Sequence, residues 1–168
     1  GPMRAIFEID WKAADLKSKA KKHAAKLMAA KVPGVDEQVY LTASPLALLP
    51  KGVAHSEAEL LRLIGSAQKE VRIQLLDYYP VYRDKKTYYG AIDNALRAAA
   101  ARGVKVKLLV SHWNQEKPGI DYLKSLSLVP NIEVKIATIP VAKEGKIPFA
   151  RVSHSKNICT VVPESAMK

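Results

Sequence analysis

The sequence lacks most features that would assign it to a familiar biochemical class. Its single cysteine, Cys159, excludes an intrachain disulfide and argues against a structural zinc site. No apolar run approaches the roughly 18–20 residues of a membrane-spanning helix, and no signal-peptide h-region is found. The sequence also contains no Walker loop, no dinucleotide fingerprint and no paired-carboxylate or histidine spacing for a metal. We therefore expect neither a cofactor nor a catalytic metal.

Acidic residues are few relative to basic ones. The chain carries 27 Lys and Arg against 16 Asp and Glu, which gives a formal net charge of +11. Such an excess attracts polyanions, which are nucleic acid, an anionic phospholipid surface or a phosphorylated substrate. Simple solubility explains the charge equally well, so both interpretations stay open. Hydrophobic residues make up 48% of the chain, which is enough for a folded core.

The apolar pattern predicts an α/β fold with a mostly parallel, twisted sheet and flanking helices. From residue 56 onward the predicted order is α-β-α-β-α-β-β, with short connections. We divide the chain into a Lys-rich N-terminal helix and linker, an α/β half-domain and an atypical tail, over residues 1–38, 39–156 and 157–168. The predicted helices cover residues 10–31, 56–68, 88–102 and 119–126, and the predicted strands cover residues 39–42, 71–76, 104–110, 132–137 and 150–156.

The most informative motif is a His-x-Lys pair, His154 and Lys156. Residues at i and i+2 of a strand point to the same face, so the two side chains are expected to lie side by side. A neutral imidazole is a nucleophile and general acid/base near pH 7. The adjacent ammonium can neutralise a phosphoryl oxygen. The pattern alone is weak, because a basic surface strand produces it by chance.

Further candidates follow two of the predicted strands. In parallel sheets, functional residues collect at the carboxyl ends of the strands. Tyr78 and Tyr79 follow the strand over 71–76, and Ser111 and Trp113 follow the strand over 104–110. We predict that these four residues contact substrate, with the aromatic rings stacking on bases or touching acyl chains. The alternative for the tyrosines is that they cap the core.

These pieces occur in an order that resembles the phospholipase D superfamily, in particular its phospholipase D3/D4-like branch of 5′-exonucleases. The resemblance rests on the co-linear order of the segments rather than on basic residues or on His-x-Lys alone. The matching segments cover residues 5–11, 39–52, 70–82, 91–113 and 147–156.

The resemblance implies a metal-independent phosphodiester hydrolase. Members of the family pair two H-x-K-x4-(D/E) motifs, in which one histidine forms a phosphohistidine, the other protonates the leaving oxygen and the lysines bind phosphate. By motif position, His154 and Lys156 resemble the second of these pairs. Activity would then need a homodimer or a separate first-half chain, and the uncovered half is expected to expose a large apolar face. The family is also typical of the endolysosomal lumen, although the sequence itself assigns no compartment.

The sequence departs from the family pattern after the His-x-Lys pair. Val161 stands where the family has Asp or Glu, Asn157 stands where the family prefers an apolar or aromatic residue, and no G-(S/T)-x-N segment follows. Such a break suggests truncation, a frame shift, a splice variant or a wrongly assembled gene. Two functional hypotheses remain: a half-enzyme of the phospholipase D type, or a catalytically inactive module of the same fold that binds anions or nucleic acid.

Overall fold

A computed structural model describes residues 40–82, 84, 86–138, 140, 141, 143, 145 and 153–161. The predicted Lys-rich helix over 10–31 lies outside these residues. The chain divides into two compact units, residues 1–60 and 61–168. The boundaries that we predicted for the domains stay a prediction.

The first unit contributes a short parallel strand pair. Strands β1 (Thr42–Ala43) and β2 (Ala54–His55) are joined through a 3-10 helix at Leu46–Leu48. Helix α1 (Ser56–Ser66) follows directly and carries Glu57 and Glu59 in its first turn, where carboxylates favour the helix dipole.

The second unit contains a four-stranded sheet in the order β5-β4-β3-β6. Strands β3 (Glu70–Leu75), β4 (Lys105–Ser111) and β5 (Ile132–Ala137) are parallel, whereas β6 (Asn157–Val161) pairs antiparallel with β3. Helix α2 (Ala91–Ala101) connects β3 to β4, and helix α3 (Gly119–Ser127) connects β4 to β5. The predicted α/β class with a mostly parallel sheet is therefore confirmed.

The core of this unit lies between the helices and one face of the sheet. Alternate residues of each strand point into it, as Val71 and Ile73 do in β3. Ile64 of α1, Leu96 of α2 and Leu123 of α3 join the same cluster. Burial of such side chains from water stabilises each one by about 1.5–3 kcal/mol.

The last strand is a correction to the sequence-based prediction. We expected a strand over 150–156, but the described residues 153–156 lie outside any strand and the pairing begins at Asn157. β6 therefore uses the first five residues of the segment that we predicted as a tail. Its position depends on pairing with β3, 83 to 91 residues earlier in the chain, which local periodicity does not reveal.

No described helix is long and apolar enough to cross a bilayer.

Candidate functional site

The edge formed by the carboxyl ends of the parallel strands also receives the residues that precede β6. In the antiparallel ladder, Asn157 is the partner of Gln74, close to the end of β3. The four residues before Asn157 therefore adjoin the carboxyl end of β3. We call Ser153–Lys156 the HxK segment.

The HxK segment holds the imidazole of His154 and the ammonium of Lys156 together. The Lys156 Nζ lies 3.2 Å from the His154 Nε2, and both side chains are exposed. A lysine ammonium can only donate, so a hydrogen bond between the two requires the imidazole tautomer in which Nε2 is the acceptor. The two side chains meet as predicted, although the backbone that carries them is not a strand. The arrangement offers a nucleophilic nitrogen and a cation to one ligand oxygen.

A single side-chain contact anchors the HxK segment to the sheet among the hydrogen bonds of the described residues. The Gln74 Nε2 donates to the Ser153 Oγ at 3.0 Å, in a half-buried position. Gln74 is also the backbone register partner of Asn157. One residue of β3 therefore contacts the chain on both sides of His154 and Lys156.

Two of the predicted substrate-binding residues, Tyr78 and Ser111, lie inside the fold. Ser111 is fully buried, and its hydroxyl donates to the Leu76 carbonyl at 2.7 Å. Tyr78 is 5% exposed, and its hydroxyl donates to the Asp93 Oδ1 at 2.6 Å. Both side chains thus have internal partners that account for their positions. Their predicted contact with substrate stays a prediction.

The other two predicted residues, Tyr79 and Trp113, present more surface. Tyr79 is 38% exposed, and its ring packs over Gly119, where an added Cβ would lie 3.1 Å from the ring. Burial and the carboxylates of Asp77 and Glu116 raise the pKa of Tyr79, so its phenol stays neutral at physiological pH. Trp113 is half-buried in the 3-10 helix that follows β4.

Asn114 joins the two loops at this edge of the sheet. Its side chain is fully buried, and its Oδ1 accepts from the Tyr78 backbone N–H at 2.7 Å. Its Nδ2 donates to the carbonyls of Leu76 at 2.8 Å and Ser111 at 3.0 Å. The bonds with Tyr78 and Leu76 bridge the segments that follow β3 and β4, whereas the bond to Ser111 is local. The Asn114 side chain therefore fixes the position of both loops at this edge of the sheet.

A buried carboxylate, Asp93, anchors the tyrosine-rich segment between β3 and α2. Asp93 is 2% exposed and accepts hydrogen bonds from Tyr78, from Tyr88 at 3.0 Å and from the Arg97 Nε at 2.6 Å. Burial, followed by the Asp93 carboxylate, strongly raises the pKa of Tyr78. The same carboxylate raises the pKa of Arg97. This network is structural, because its members satisfy one another.

The face of the sheet opposite the helices carries charged side chains. Glu70 pairs with Arg72 and, at 3.2 Å, with Lys107. Lys135 pairs with Glu133 at 2.8 Å. These contacts lower the pKa of Glu70 and of Glu133. A groove of about 460 Å³ runs over this face and reaches Gln74 and Asn157. The large exposed apolar face that we expected is therefore not found on this sheet among the described residues, because the helices cover its apolar side.

The described residues contain no group of three or more His, Cys, Asp and Glu side chains that could hold a metal ion.

Three residues of this region were not singled out from the sequence: Gln74, Asn114 and Asp93. Asp93 and Arg97 have the i, i+4 spacing of a helical ion pair, which was a usable local signal. Gln74 and Asn114 gave no such signal, because their partners lie 79 and 36 residues away in the chain.

Comparison with known protein families assigns the chain. The family described as "PLD3/4, PLD-like domain" matches residues 18–144, which is more than half of the sequence. The chain belongs to the PLD3/4 family of PLD-like domains. The resemblance proposed from the ordered segments is thereby confirmed.

Individual relatives of this PLD-like domain are named as exonucleases and phospholipases. The human 5′-3′ exonuclease PLD4 is 39% identical over 137 residues, covering 76% of this chain and 27% of the relative. Phospholipase D Y of Dictyostelium discoideum is 42% identical over 106 residues, covering 60% of this chain and 24% of the relative. Among solved structures, NucT from Helicobacter pylori aligns with a TM-score of 0.48 and 24% identity, over 62% of this chain and 58% of that chain. A structural likeness of this size supports no conclusion about function.

The PLD-like domain spans about a quarter of the length of the curated relatives that it matches. The residues that match the family end at 144, before His154 and Lys156. Family membership therefore assigns no role to the pair.

Proposed function

We propose that this chain supplies one half of a phosphodiester hydrolase of the phospholipase D type. His154 is the nucleophile, and Lys156 binds the phosphate. The other half is a second His-x-Lys pair from a second copy of the chain or from a separate first-half chain. The observation that carries the proposal is the 3.2 Å contact between the His154 Nε2 and the Lys156 Nζ, exposed at the carboxyl edge of the sheet.

The proposed reaction requires the Lys156 ammonium to leave the His154 imidazole and bind a phosphate oxygen. An arriving phosphodiester offers anionic oxygens that bind an ammonium more strongly than a neutral imidazole does. When Lys156 turns to a phosphate oxygen, the Nε2 lone pair of His154 becomes available to attack phosphorus. The new N–P bond forms as the P–O bond to the leaving group breaks. The His154 Nε2 and the Lys156 Nζ must therefore reach the phosphate from the same side, which their separation of 3.2 Å allows.

The second half supplies the proton. The leaving alkoxide takes a proton from the imidazolium of the second His-x-Lys pair, and that imidazole then deprotonates the water that hydrolyses the phosphohistidine. General acid–base catalysis of this kind contributes about 100- to 10,000-fold in rate. An isolated copy of the pair should therefore turn over very slowly.

The proposed substrate is a nucleic acid strand or an anionic phospholipid. Tyr79 and Trp113 supply aromatic surface at the same edge of the sheet, where a base or an acyl chain could pack. Tyr78 and Ser111, the other two residues that we predicted to bind substrate, hold the loops that carry these rings. The names of the relatives, exonuclease and phospholipase D, support both substrate classes.

The test measures hydrolysis of bis(p-nitrophenyl) phosphate and of 5′-labelled single-stranded DNA. We expect His154→Ala to lower the rate at least about 100-fold, because it removes the nucleophile. His55→Ala is the matched control, since His55 lies in β2 of the other unit. A denaturing alkaline quench, which preserves the acid-labile N–P bond, should trap phosphohistidine on the native chain and none on His154→Ala. Equal rates for the native chain and His154→Ala would remove the pair from the mechanism.

A second candidate function is an anion-binding module without turnover. It is favoured by Val161, which occupies the family's carboxylate position and lies opposite Glu70 in the β3–β6 ladder. In this case single-stranded DNA or anionic vesicles bind, binding weakens steeply with salt, and no phosphohistidine forms. Salt-independent binding would argue against this candidate.

A further inference from the structure

We propose that Gln74 is the positioning residue of the His154–Lys156 pair. The inference rests on the proposed function, in which this pair grips and attacks a phosphodiester. Nothing in the family assignment gives Gln74 a role.

Gln74 meets the HxK segment at both of its ends. Its side-chain amide donates to the Ser153 Oγ at 3.0 Å, immediately before His154. Its backbone is the register partner of Asn157, immediately after Lys156. The two catalytic candidates lie between these two anchors, and both anchors belong to one residue of a central strand of the sheet.

The need for such an anchor follows from the backbone of the segment. Residues 153–156 lie outside any strand, so no regular ladder fixes their conformation. Both side chains of the pair are exposed, so no packing holds them either. Bringing an imidazole and an ammonium to 3.2 Å therefore depends on the ends of a short loop being fixed. The Gln74 contact supplies one end, and the first ladder pair of β6 supplies the other.

The charge of the anchor also suits a phosphate site. A neutral amide at this position holds the loop without competing for the ammonium, whereas a carboxylate would pair with it. The half-buried setting of the Gln74–Ser153 bond reduces competition from water.

The test compares Gln74→Ala, Ser153→Ala, their double variant and Ser153→Thr, with Gln68→Ala as the matched control. Gln68 is an exposed glutamine before the amino end of β3. One readout is the NMR cross-peak between the His154 Hε1 and the Lys156 ε-methylene, which requires the pair to be close. The second is the affinity for dimethyl phosphate, followed on the same signals.

We expect Gln74→Ala and Ser153→Ala each to lose the cross-peak and to weaken dimethyl phosphate binding about 2- to 10-fold, the range of one hydrogen bond. The double variant should be no worse than either single one, because both remove the same contact. Ser153→Thr, which keeps a hydroxyl, should retain native values, as should Gln68→Ala. The thermal midpoint should change little for Ser153→Ala, which separates positioning from a loss of fold.

Two outcomes overturn the proposal: an intact cross-peak with native affinity in Gln74→Ala, or a double variant whose loss is the sum of the two single losses. These results are distinguishable from a failure of the proposed function. If the native chain neither binds nor cleaves phosphodiesters, the proposed function fails, and the cross-peak still decides whether Gln74 positions the pair. If the native chain cleaves and Gln74→Ala cleaves equally well with an intact cross-peak, only the positioning role is lost.

Discussion

At the scale of single residues, the buried polar side chains hold loops in place, and the candidate catalytic side chains lie elsewhere, at the surface. Asp93 and Asn114 are almost fully buried, and each makes three hydrogen bonds to groups in or near the loops at the carboxyl edge. His154 and Lys156, by contrast, are exposed. This contrast fits the proposed function, in which His154 and Lys156 must stay accessible to a phosphodiester.

The buried phenol of Tyr78 makes the stability of the chain sensitive to high pH. Its pKa in the folded state is raised above the ordinary value of 10.0 by burial and then by the Asp93 carboxylate. The unfolded chain releases this proton near pH 10, whereas the folded chain retains it, so stability is fully present below that pH and is lost as the pH rises further. Urea unfolding between pH 8 and 11 should show this loss.

The control for this prediction is Tyr78→Phe. At neutral pH it should be about 1–3 kcal/mol less stable than the native chain, since it removes a buried donor to Asp93. Above pH 10 the difference should shrink, because phenylalanine has no proton to lose. A constant difference across the whole pH range would show that Tyr78 does not cause the alkaline loss.

At the scale of elements, the carboxyl edge depends on how two loops are tied together. Asn114→Ala removes the partner of the buried Tyr78 N–H and one partner of the Leu76 carbonyl. Each buried group left unpaired costs about 1–3 kcal/mol. We expect urea unfolding to show a loss of at least about 2 kcal/mol.

Two variants sharpen the Asn114 prediction. Asn114→Asp keeps an acceptor for Tyr78 but loses both donors, so it should also be destabilised. The exposed neighbour Gln115→Ala should be close to native in stability. If Asn114→Ala were as stable as Gln115→Ala, the amide would not be the tie between the loops.

Local pattern was sufficient to predict the elements whose signals are local. The strand over 132–137 has the predicted ends, and Gly103 has φ 87° after α2, as a residue beyond a helix C-terminus often does. β6 was misplaced because its position depends on non-local pairing with β3. The meeting of His154 with Lys156 was predicted from an i, i+2 spacing on a strand, but the structure brings the two side chains together outside any strand. The anchors Gln74 and Asn114 depend on contacts between distant segments.

At the scale of the whole molecule, the basic side chains differ in whether a carboxylate partly neutralises their charge. Arg72, Lys107 and Lys135 on the open sheet face share the two carboxylates Glu70 and Glu133. Lys156 instead contacts a neutral imidazole. Among the described residues, an approaching polyanion therefore meets partly neutralised cations on the sheet and, in the HxK segment, a cation that contacts no described carboxylate.

This difference predicts the salt dependence of binding to single-stranded DNA. Each phosphate contact contributes roughly −0.7 to the slope of log affinity against log salt concentration. Lys156→Gln should make that slope shallower by about 0.7, as measured by fluorescence anisotropy with a labelled oligothymidine between 50 and 200 mM salt. Lys135→Gln is the matched control and should leave the slope unchanged, since Lys135 already pairs with Glu133 at 2.8 Å. Equal changes of slope in both variants would mean that the +11 net charge attracts DNA without a preferred phosphate site.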